Sequence, residues 1–481
     1  MFSSPGSLIL IVAVVVWLGL FAAAAGHAVM YKRDPRSAAI WSVVGFALPG
    51  VGPALYWAFG INRVERHAVK KLGRRERPFD PGHLLGHEDP YQAHVEAVGH
   101  LVSLRTIADR VARLPLLPGN ALTPLHNGEQ AYPRMLKAIG EAQRSITLAS
   151  YIFDWDDVGR EFAHALSGAA GRGVHVHLLV DGLGALRSFS RVGRRLLKSG
   201  AEVAAFFPLR FPFGRFRLNL RNHRKILVAD GRVGFTGGMN ISERHLHDAQ
   251  QPGRVEDLHF EVTGPVVAEM QHAFAEDWAL STAKVLRGED YFPSLAPTGR
   301  AVCRGVSSGP DEDFESIHWM VQAAIASAQQ SVCIVTPYFI PTSSLLTTMI
   351  MRALRGIDIT LVLPSLVDLP YMRWAADAYL WQLLEHGIRV YRRPPPFVHT
   401  KLMLVDERWV LLGSANMDPR SFRLNFEFNI EAYEVTLARE LSGWFSGLIA
   451  DLQPVTLEEM DSRPRVRRLR DGLAKLASPF L

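Results

Sequence analysis

A composite pattern of histidine, lysine, aspartate, glycine and asparagine occurs twice in this 481-residue chain. The first copy is His223-Arg-Lys225, Asp230 and Gly237-Gly238-Met-Asn240, and the second is His399-Thr-Lys401, Asp406 and Gly413-Ser414-Ala-Asn416. All intervals within the two copies are identical. A single His and Lys two residues apart is usually only one face of a strand, but two complete copies do not arise by chance. The duplication therefore predicts two halves that fold alike.

The predicted secondary structure repeats in the same order in both halves. Runs of β-branched residues with little alternation indicate buried strands, and helical periods separate them, as in βαβ units. The predicted helices cover 130–142, 160–170, 191–198, 314–329, 344–355 and 372–385. The predicted strands cover 145–150, 174–180, 202–206, 331–336, 357–363 and 389–391. The predicted fold class is α/β, with two similar halves about a pseudo-two-fold axis and one shared site.

The N-terminal residues form two uncharged runs. Leu8–Ala25 is long enough to cross a bilayer as a helix, and Ser37–Asn62 is the second run. We interpret them as a transmembrane hairpin; the alternative is a cleaved signal peptide followed by a buried core helix, which lacks its usual basic start. Seven basic residues between Arg63 and Arg77 outweigh the basic turn at 32–36 and predict a cytoplasmic soluble part.

These features divide the chain into six predicted segments. They are a transmembrane hairpin (1–62), a basic juxtamembrane linker (63–120), a first α/β half (121–285), a junction (286–310), a second α/β half (311–455) and a basic C-terminal tail (456–481).

Charge and composition restrict the partners. A net charge of +6 and a pI near 9.3 indicate an anionic partner, either nucleic acid or lipid. The basic, aromatic stretch Arg210–Lys225 beside a membrane anchor favours lipid headgroups; stacking on single-stranded nucleic acid and a solvated loop are the alternatives. The tail from Arg463 is either a basic amphipathic surface helix or a solvated segment. Cys303 and Cys333 are too few for a disulfide framework or a four-thiolate zinc site.

The motif residues suit a phosphodiester. His223 and Lys225 share one strand face, as do His399 and Lys401, so joining the halves places two imidazoles and two ammonium groups in one pocket. The lysines would neutralise the non-bridging oxygens without a metal. One imidazole can attack phosphorus while the other protonates the leaving alkoxide and then activates the incoming hydroxyl. Neutral donors for the phosphate are expected at Asn240, Asn416, Gly238 and Ser414.

Four carboxylates accompany the motifs. Asp230 and Asp406 belong to the catalytic signature, but five residues beyond their lysines we expect a structural role, as turn formers or ion-pair partners. Asp257 and Glu427 are candidates to hold an imidazole in one tautomer, and the alternative is that they are ordinary surface carboxylates.

These residues resemble the phospholipase D superfamily, whose signature is a doubled HxKxxxxD followed by Gly-Gly/Ser-x-Asn, and within it the bacterial cardiolipin synthases. The resemblance extends over the two-helix anchor, Tyr151–Phe153, Thr336–Pro341, Leu220–Lys225, Asp257–Phe260, Asp418–Ser421 and Asn425–Glu427. It implies a mixed sheet with helices on both faces in each half. It also implies His223 as nucleophile and His399 as acid and base, with Lys225, Lys401, Asn240 and Asn416 holding the phosphate. Val255 and Glu256 stand where an aromatic–Arg pair often precedes the aspartate, which concerns acceptor specificity.

The resemblance implies a multi-pass inner-membrane phosphatidyltransferase with cytoplasmic halves. Phosphatidylglycerol would give a phosphatidyl-histidine and free glycerol, and a second phosphatidylglycerol would then attack to give cardiolipin. Phosphatidylethanolamine stays open as donor, and the oligomeric state is open. The alternatives are a hydrolytic phospholipase D, a phosphodiesterase or nuclease, and an inactive lipid-binding scaffold. Two membrane spans argue against a nuclease, and two intact His–Lys pairs argue against a scaffold. We expect no cofactor, no metal and no nucleic-acid partner.

Overall fold

The computed structural model describes residues 5–32, 35–60, 96–208, 220–246, 253–310 and 314–478. The basic cluster Arg63–Arg77 and most of the basic stretch Arg210–Lys225 lie outside these residues. The described chain divides into an N-terminal unit, up to residue 60, and an α/β unit, from residue 96 onwards.

Helices form at the following positions. They are α1 (Pro5–Tyr31), α2 (Pro35–Ala47), α3 (Val51–Leu55), α4 (Val102–Val111), α5 (Asn127–Glu141), α6 (Asp157–Gly171), α7 (Ala185–Lys198), α8 (Val266–Thr282), α9 (Ser316–Ser327), α10 (Ser343–Leu354), α11 (Pro370–Glu385), α12 (Pro419–Arg423), α13 (Val435–Ile449), α14 (Leu457–Asp461) and α15 (Arg465–Leu476).

Strands form at the following positions. They are β1 (Leu117–His126), β2 (Ser145–Ser150), β3 (His175–Asp181), β4 (Glu202–Phe206), β5 (Ile226–Ala229), β6 (Val233–Gly237), β7 (Val255–Glu256), β8 (Leu258–Thr263), β9 (Ala301–Ser308), β10 (Ser331–Val335), β11 (Asp358–Pro364), β12 (Arg389–Arg393), β13 (Phe397–Val398), β14 (Leu402–Val405), β15 (Trp409–Gly413) and β16 (Glu427–Tyr433).

The N-terminal unit contains the predicted pair of apolar segments. Helix α1 provides a continuous apolar stretch, Leu8–Tyr31, long enough to span a bilayer, and almost none of it is buried. Helix α2 packs against α1, where the rings of Trp17 and Phe46 lie 5.2 Å apart. The second predicted crossing, over 37–62, stays a prediction, because α2 ends at Ala47 and a bend at Leu48–Gly50 precedes the short α3. Within the described chain, α1 alone meets the length required of a spanning helix.

The α/β unit is built on a fourteen-stranded mixed sheet whose halves have the same topology. The strand order is β12-β11-β10-β14-β15-β16-β9-β1-β8-β6-β5-β2-β3-β4. From the centre outward, the first half consists of β1, β8, the β6–β5 hairpin and the parallel strands β2, β3 and β4. The second half consists of β9, β16, the β15–β14 hairpin and the parallel strands β10, β11 and β12. The halves join through antiparallel β1 and β9, where Leu117 pairs with Cys303 and Asn120 with Ala301. The predicted α/β class with two similar halves is therefore confirmed.

Matching side chains begin the helix that follows the first parallel strand in each half. Asp156 caps α6 by accepting from the Gly159 N–H at 2.8 Å, and Thr342 caps α10 by accepting from the Leu345 N–H. Such capping satisfies amides that a helix leaves unpaired at its start. Two of the predicted boundaries differ from the observed elements. Helix α4 lies in the segment predicted as a linker, and β9 lies in the predicted junction, where it opens the second half.

Candidate active site

The two motif histidines immediately precede equivalent strands of the two halves. His223 and Lys225 lead into β5, and His399 and Lys401 lead into β14. Each histidine segment pairs with the opposite half: the His223 N–H donates to the Phe426 carbonyl at 2.9 Å, and the His399 N–H donates to that of Glu256 at 2.8 Å. These backbone bonds bring the motifs of the two halves together at the end of the sheet where β5 and β14 begin.

Each imidazole contacts a carboxylate that belongs to the other half. His223 Nδ1 lies 3.0 Å from Glu427 Oε2, and His399 Nδ1 lies 2.9 Å from Asp257 Oδ2. Both carboxylates are completely buried, whereas the imidazoles are 14% and 13% exposed. An ionised carboxylate can only accept, so the Nδ1 atom carries the proton and the Nε2 lone pair is left for chemistry. The two orienting candidates therefore stand where that role requires, and the role itself stays a prediction.

The two lysines fold back onto the motif backbone. Lys225 Nζ donates to the His223 carbonyl at 2.7 Å, and Lys401 Nζ donates to the His399 carbonyl at 2.5 Å. Burial lowers the pKa of Lys225 to about 7 and that of Lys401 to about 8, although the nearby carboxylates oppose the shift. An anion bound between the lysines would raise both pKa values again, because it stabilises the ammonium form.

The electrostatic surroundings of the two imidazoles differ. Burial lowers the pKa of His223, and Glu427 partly offsets this effect. Burial lowers the pKa of His399 well below its usual range, and Lys401 and Lys225 add to the shift. Lys401 Nζ lies only 3.0 Å from His399 Nδ1, which explains the repulsion. Both imidazoles are therefore neutral near pH 7 before substrate binds, and His399 is the stronger acid once protonated.

Gly238 and Ser414 occupy equivalent positions of the two motifs but make different contacts in the two halves. Ser414 Oγ donates to Glu427 Oε2 at 2.6 Å, so this hydroxyl holds the carboxylate. At Gly238, a Cβ would lie 2.4 Å from Asp257 Oδ1, so only glycine fits beside that carboxylate. The Ser414 hydroxyl is thus engaged by Glu427, and the expectation that Gly238 and Ser414 supply neutral donors to the phosphate stays a prediction.

The motif asparagines are buried beside these positions. Asn240 is 8% exposed, and its Oδ1 accepts from the Ile152 N–H at 3.1 Å. Asn416 is 6% exposed, and its Oδ1 has no hydrogen-bond partner among the described residues. The two amides are therefore placed to bind a polar ligand, and their contribution stays a prediction.

The motif aspartates lie at the far end of the same strands. Asp230 accepts from the backbone N–H groups of Gln143, Arg144 and Ser145 at 2.7–2.9 Å, and Asp406 accepts from those of Gln329, Gln330 and Ser331 at 2.8 Å. Burial raises the pKa of Asp406, but the backbone donors and His100 outweigh it, so the net shift is downward. Each aspartate follows its lysine by five residues, a span of about 16 Å along a strand. These contacts favour the expected structural role, because both carboxylates hold the starts of β2 and β10, and a catalytic role for them stays a prediction.

Some residues at the site escaped the sequence analysis. The Tyr151 ring lies 5.3 Å from the His223 ring, and His245 lies 6.5 Å from His399. Tyr151 had a signal, since it begins a stretch shared with the resembling family. His245 had none, because the equivalent position of the second motif is Ser421. Asp181 accepts from the Asn222 N–H at 2.9 Å and so positions the segment before His223.

Metal binding is a second chemistry that histidines and carboxylates can support. In that part of the chain, no group of three or more His, Cys, Asp or Glu residues is arranged to hold a metal ion. The residues that meet at the site are instead two imidazoles, two ammonium groups, two carboxylates and two amides. This set suits the binding and transfer of a phosphoryl group.

Comparisons with known proteins agree with this chemistry. Residues 135–278 and 321–449 match the family described as cardiolipin synthase, PLD-like domain, and residues 8–60 match a phospholipase D-nuclease N-terminal family. The chain is 31% identical to the major cardiolipin synthase of Bacillus subtilis, over 94% of this chain and 95% of that one. It is 33% identical to a cardiolipin synthase of Alkalihalophilus pseudofirmus, over 94% and 90%.

A solved structure shares the fold at low sequence identity. The phosphatidylserine synthase of Haemophilus influenzae superposes with a TM-score of 0.62 at 16% identity, over 79% of this chain and all of that one. Taken with the family match across both halves, these findings identify the lineage of the fold and of its doubled motif. The chain belongs to the cardiolipin synthase family of the phospholipase D superfamily.

Proposed function

We propose that the chain makes cardiolipin from two molecules of phosphatidylglycerol, through a phosphatidyl-histidine intermediate on His223. Membership of the cardiolipin synthase family supports the overall reaction. The observation that carries the mechanism is the crossed pairing of His223 with Glu427 and His399 with Asp257, which leaves two Nε2 atoms for one substrate.

The first displacement uses the two imidazoles on opposite sides of the phosphodiester. His223 Nε2 attacks phosphorus and forms the P–N bond while the P–O bond to the glycerol headgroup breaks. The proton on His399 Nε2 passes to the departing glycerol oxygen, which is a poor leaving group without it. Glu427 faces the positive charge that develops on the His223 ring.

The second displacement reverses these proton transfers. His399, now neutral, removes the proton from a glycerol hydroxyl of a second phosphatidylglycerol. The new P–O bond forms, the P–N bond breaks and His223 returns to its neutral form. Lys225 and Lys401 hold the non-bridging oxygens in both steps, and Asn240 and Asn416 donate to the same phosphate.

The protonated His399 required at the start depends on the substrate. In the empty pocket its pKa is lowered by burial and by the lysines. An incoming phosphodiester adds a negative charge beside the imidazole, which favours the imidazolium form. Substrate binding therefore recruits the proton that the first step uses.

The proposal includes a location. The apolar helix α1 and the basic segment Arg63–Arg77 favour an inner-membrane protein whose α/β unit is cytoplasmic. This side of the membrane also gives the pocket access to phospholipid of the cytoplasmic leaflet.

Incubation of the purified chain with labelled phosphatidylglycerol tests the reaction. Lipid products are resolved by mass, and released glycerol is measured in the aqueous phase. Cardiolipin and glycerol in equal amounts are expected. Phosphatidic acid as the main product would contradict the proposal and indicate hydrolysis.

A further inference from the structure

Helix α15 is held on the α/β unit by its polar side. Asp471 is 1% exposed and accepts from Arg470 Nε at 2.9 Å. The Arg470 guanidinium lies 4.6 Å from the Trp374 ring of α11, and Lys475 Nζ lies 4.3 Å from the Tyr379 ring. Of the two alternatives for the C-terminal tail, the structure therefore has the helix, and its charged residues face the protein.

The opposite side of α15 is apolar and exposed. Val466 is 78% exposed, Leu469 65%, Leu473 59% and Leu476 65%. At 100° per residue these four side chains fall within an arc of about 80°, centred opposite Asp471. A helix on a water-facing surface normally buries its apolar stripe, so α15 has the reverse arrangement.

The borders of this stripe are basic. On the same projection, Arg465 lies about 20° beyond one end of the stripe and Arg470 about 40° beyond the other, and Arg467 and Arg468 are exposed further round the helix. An apolar stripe with arginine borders matches the interface of an anionic bilayer, where leucines enter the acyl boundary and arginines contact lipid phosphates.

The position of α15 relates the stripe to the site. Helix α15 packs on α11, which begins at Pro370. The preceding strand, β11, ends at the end of the sheet where β5 and β14 begin and where the motif residues lie. The residues around the start of α11 are also exposed and apolar: Leu366 is 59% exposed, Leu369 38% and Tyr371 42%. Exposed apolar side chains therefore occur both at the start of α11 and on the helix that packs against it.

We propose that α15 lies in the headgroup region of an anionic bilayer and holds the mouth of the pocket against the lipid. The inference rests on the proposed function only in so far as the substrate is an anionic phospholipid. It assigns to α15 a membrane contact in addition to the anchor formed by α1.

A fluorescent depth probe in the full chain tests the contact. Leu469→Cys is labelled with an environment-sensitive fluorophore, and the protein is reconstituted into phosphatidylcholine vesicles with or without phosphatidylglycerol. The matched control is Leu197→Cys on α7, which is 59% exposed in the first half. The parent chain, with Cys303 buried and Cys333 partly buried, gives the background labelling. Quenching of the Leu469 probe by acyl-chain quenchers is expected in phosphatidylglycerol vesicles, and none for the Leu197 probe.

An activity measurement separates this contact from the reaction itself. Leu469→Glu with Leu473→Glu is expected to lower cardiolipin formation in vesicles about tenfold, since charged side chains are costly at the acyl boundary, and to leave turnover of detergent-dispersed phosphatidylglycerol unchanged. A probe that stays in water in both kinds of vesicle would overturn the inference. A dimer in detergent that the two substitutions dissociate would overturn it too, since a second copy would then cover the stripe. If the unmodified chain formed no cardiolipin either in vesicles or in detergent, that result would instead contradict the proposed function.

Discussion

The two halves share one topology but build different surroundings for their histidines. Glu427, which serves His223, is held by Ser414 Oγ at 2.6 Å and by Asn425 Nδ2 at 3.1 Å. Asp257, which serves His399, accepts instead from the backbone N–H of Leu258 at 2.8 Å and packs against Gly238. The shorter aspartate sits beside glycine, and the longer glutamate has a serine to bind. A duplicated fold has thus kept its pairing geometry and changed its hydrogen bonding.

This difference supports distinct roles for the two imidazoles. A firmly held carboxylate favours positive charge on His223, as a phosphorylated imidazole requires. The two lysines lower the pKa of His399 further, which makes its protonated form a better acid for the leaving glycerol.

Removal of each histidine gives the largest effect and tests the assignment directly. His223→Ala is expected to lower turnover by at least about 10³-fold and to abolish the covalent adduct. His399→Ala should be nearly as severe, and the double variant little worse, because the two groups act as a unit. Mass spectrometry of enzyme quenched to preserve phosphohistidine locates the label. Label on His399 would reverse the roles of the halves, and label on neither would indicate direct in-line transfer.

Neutralising each carboxylate compares the two pairs. Glu427→Gln should slow adduct formation, and Asp257→Asn should slow the steps that need His399 as acid and base, each by about 10–100-fold. Single-turnover release of glycerol and formation of cardiolipin separate the steps.

The motif aspartate Asp406 provides the control for these carboxylate variants. Asp406→Asn leaves both pairs intact but weakens the start of β10, so it should lower the melting temperature and preserve turnover at lower temperature. A fall in turnover of stable Asp406→Asn protein as large as that of Asp257→Asn would place Asp406 in the catalytic group.

The two lysines predict an alkaline limit to activity. With pKa values of about 7 and 8 in the empty pocket, they lose their protons as pH rises through this range. Since the charged form of both lysines binds the phosphate, kcat/KM should fall by about tenfold per pH unit between pH 7 and 8 and by about a hundredfold per pH unit above pH 8. Lys401→Arg should move this limb to higher pH, because arginine stays protonated. A kcat/KM profile that is flat from pH 7 to 9 would show that both lysines keep their protons.

The Ser414 hydroxyl contributes a smaller part of the difference in hydrogen bonding between Glu427 and Asp257. Ser414→Ala removes a single bond to Glu427, worth about 1 kcal/mol or roughly a fivefold loss of rate. The matched control is Ser316→Ala, which removes a buried hydroxyl bonded to the Val111 carbonyl at 2.9 Å. Equal kinetic losses in both variants would show a general effect of stability.

Removal of metal ions by a chelator is expected to leave the rate of cardiolipin formation unchanged. The groups that meet the phosphate are cationic or amide donors, so EDTA should leave cardiolipin formation unaltered. Loss of turnover with EDTA and its recovery with a divalent ion would show that a metal serves both halves.

The sequence determined the features that depend on local patterns. The doubled motif, with the same interval from His223 to Lys225 as from His399 to Lys401, indicated two equivalent segments in two similar halves. The repeated order of helices and strands gave the α/β class, and the apolar run from Leu8 gave a spanning helix. The amphipathic period of α15 is also local, so the sequence offered this helix as one of two alternatives for the tail.

The tertiary structure alone decided the features that depend on distant pairings. Glu427 lies 204 residues from His223, and Asp257 lies 142 residues from His399, so no spacing rule could assign which carboxylate meets which imidazole. The pairing follows from the junction of β1 with β9 and from the crossed backbone bonds. The outward direction of the apolar stripe on α15 was likewise set by its contacts with α11. Local periodicity fixes which side chains share a face, but only the packing of remote segments fixes what that face meets.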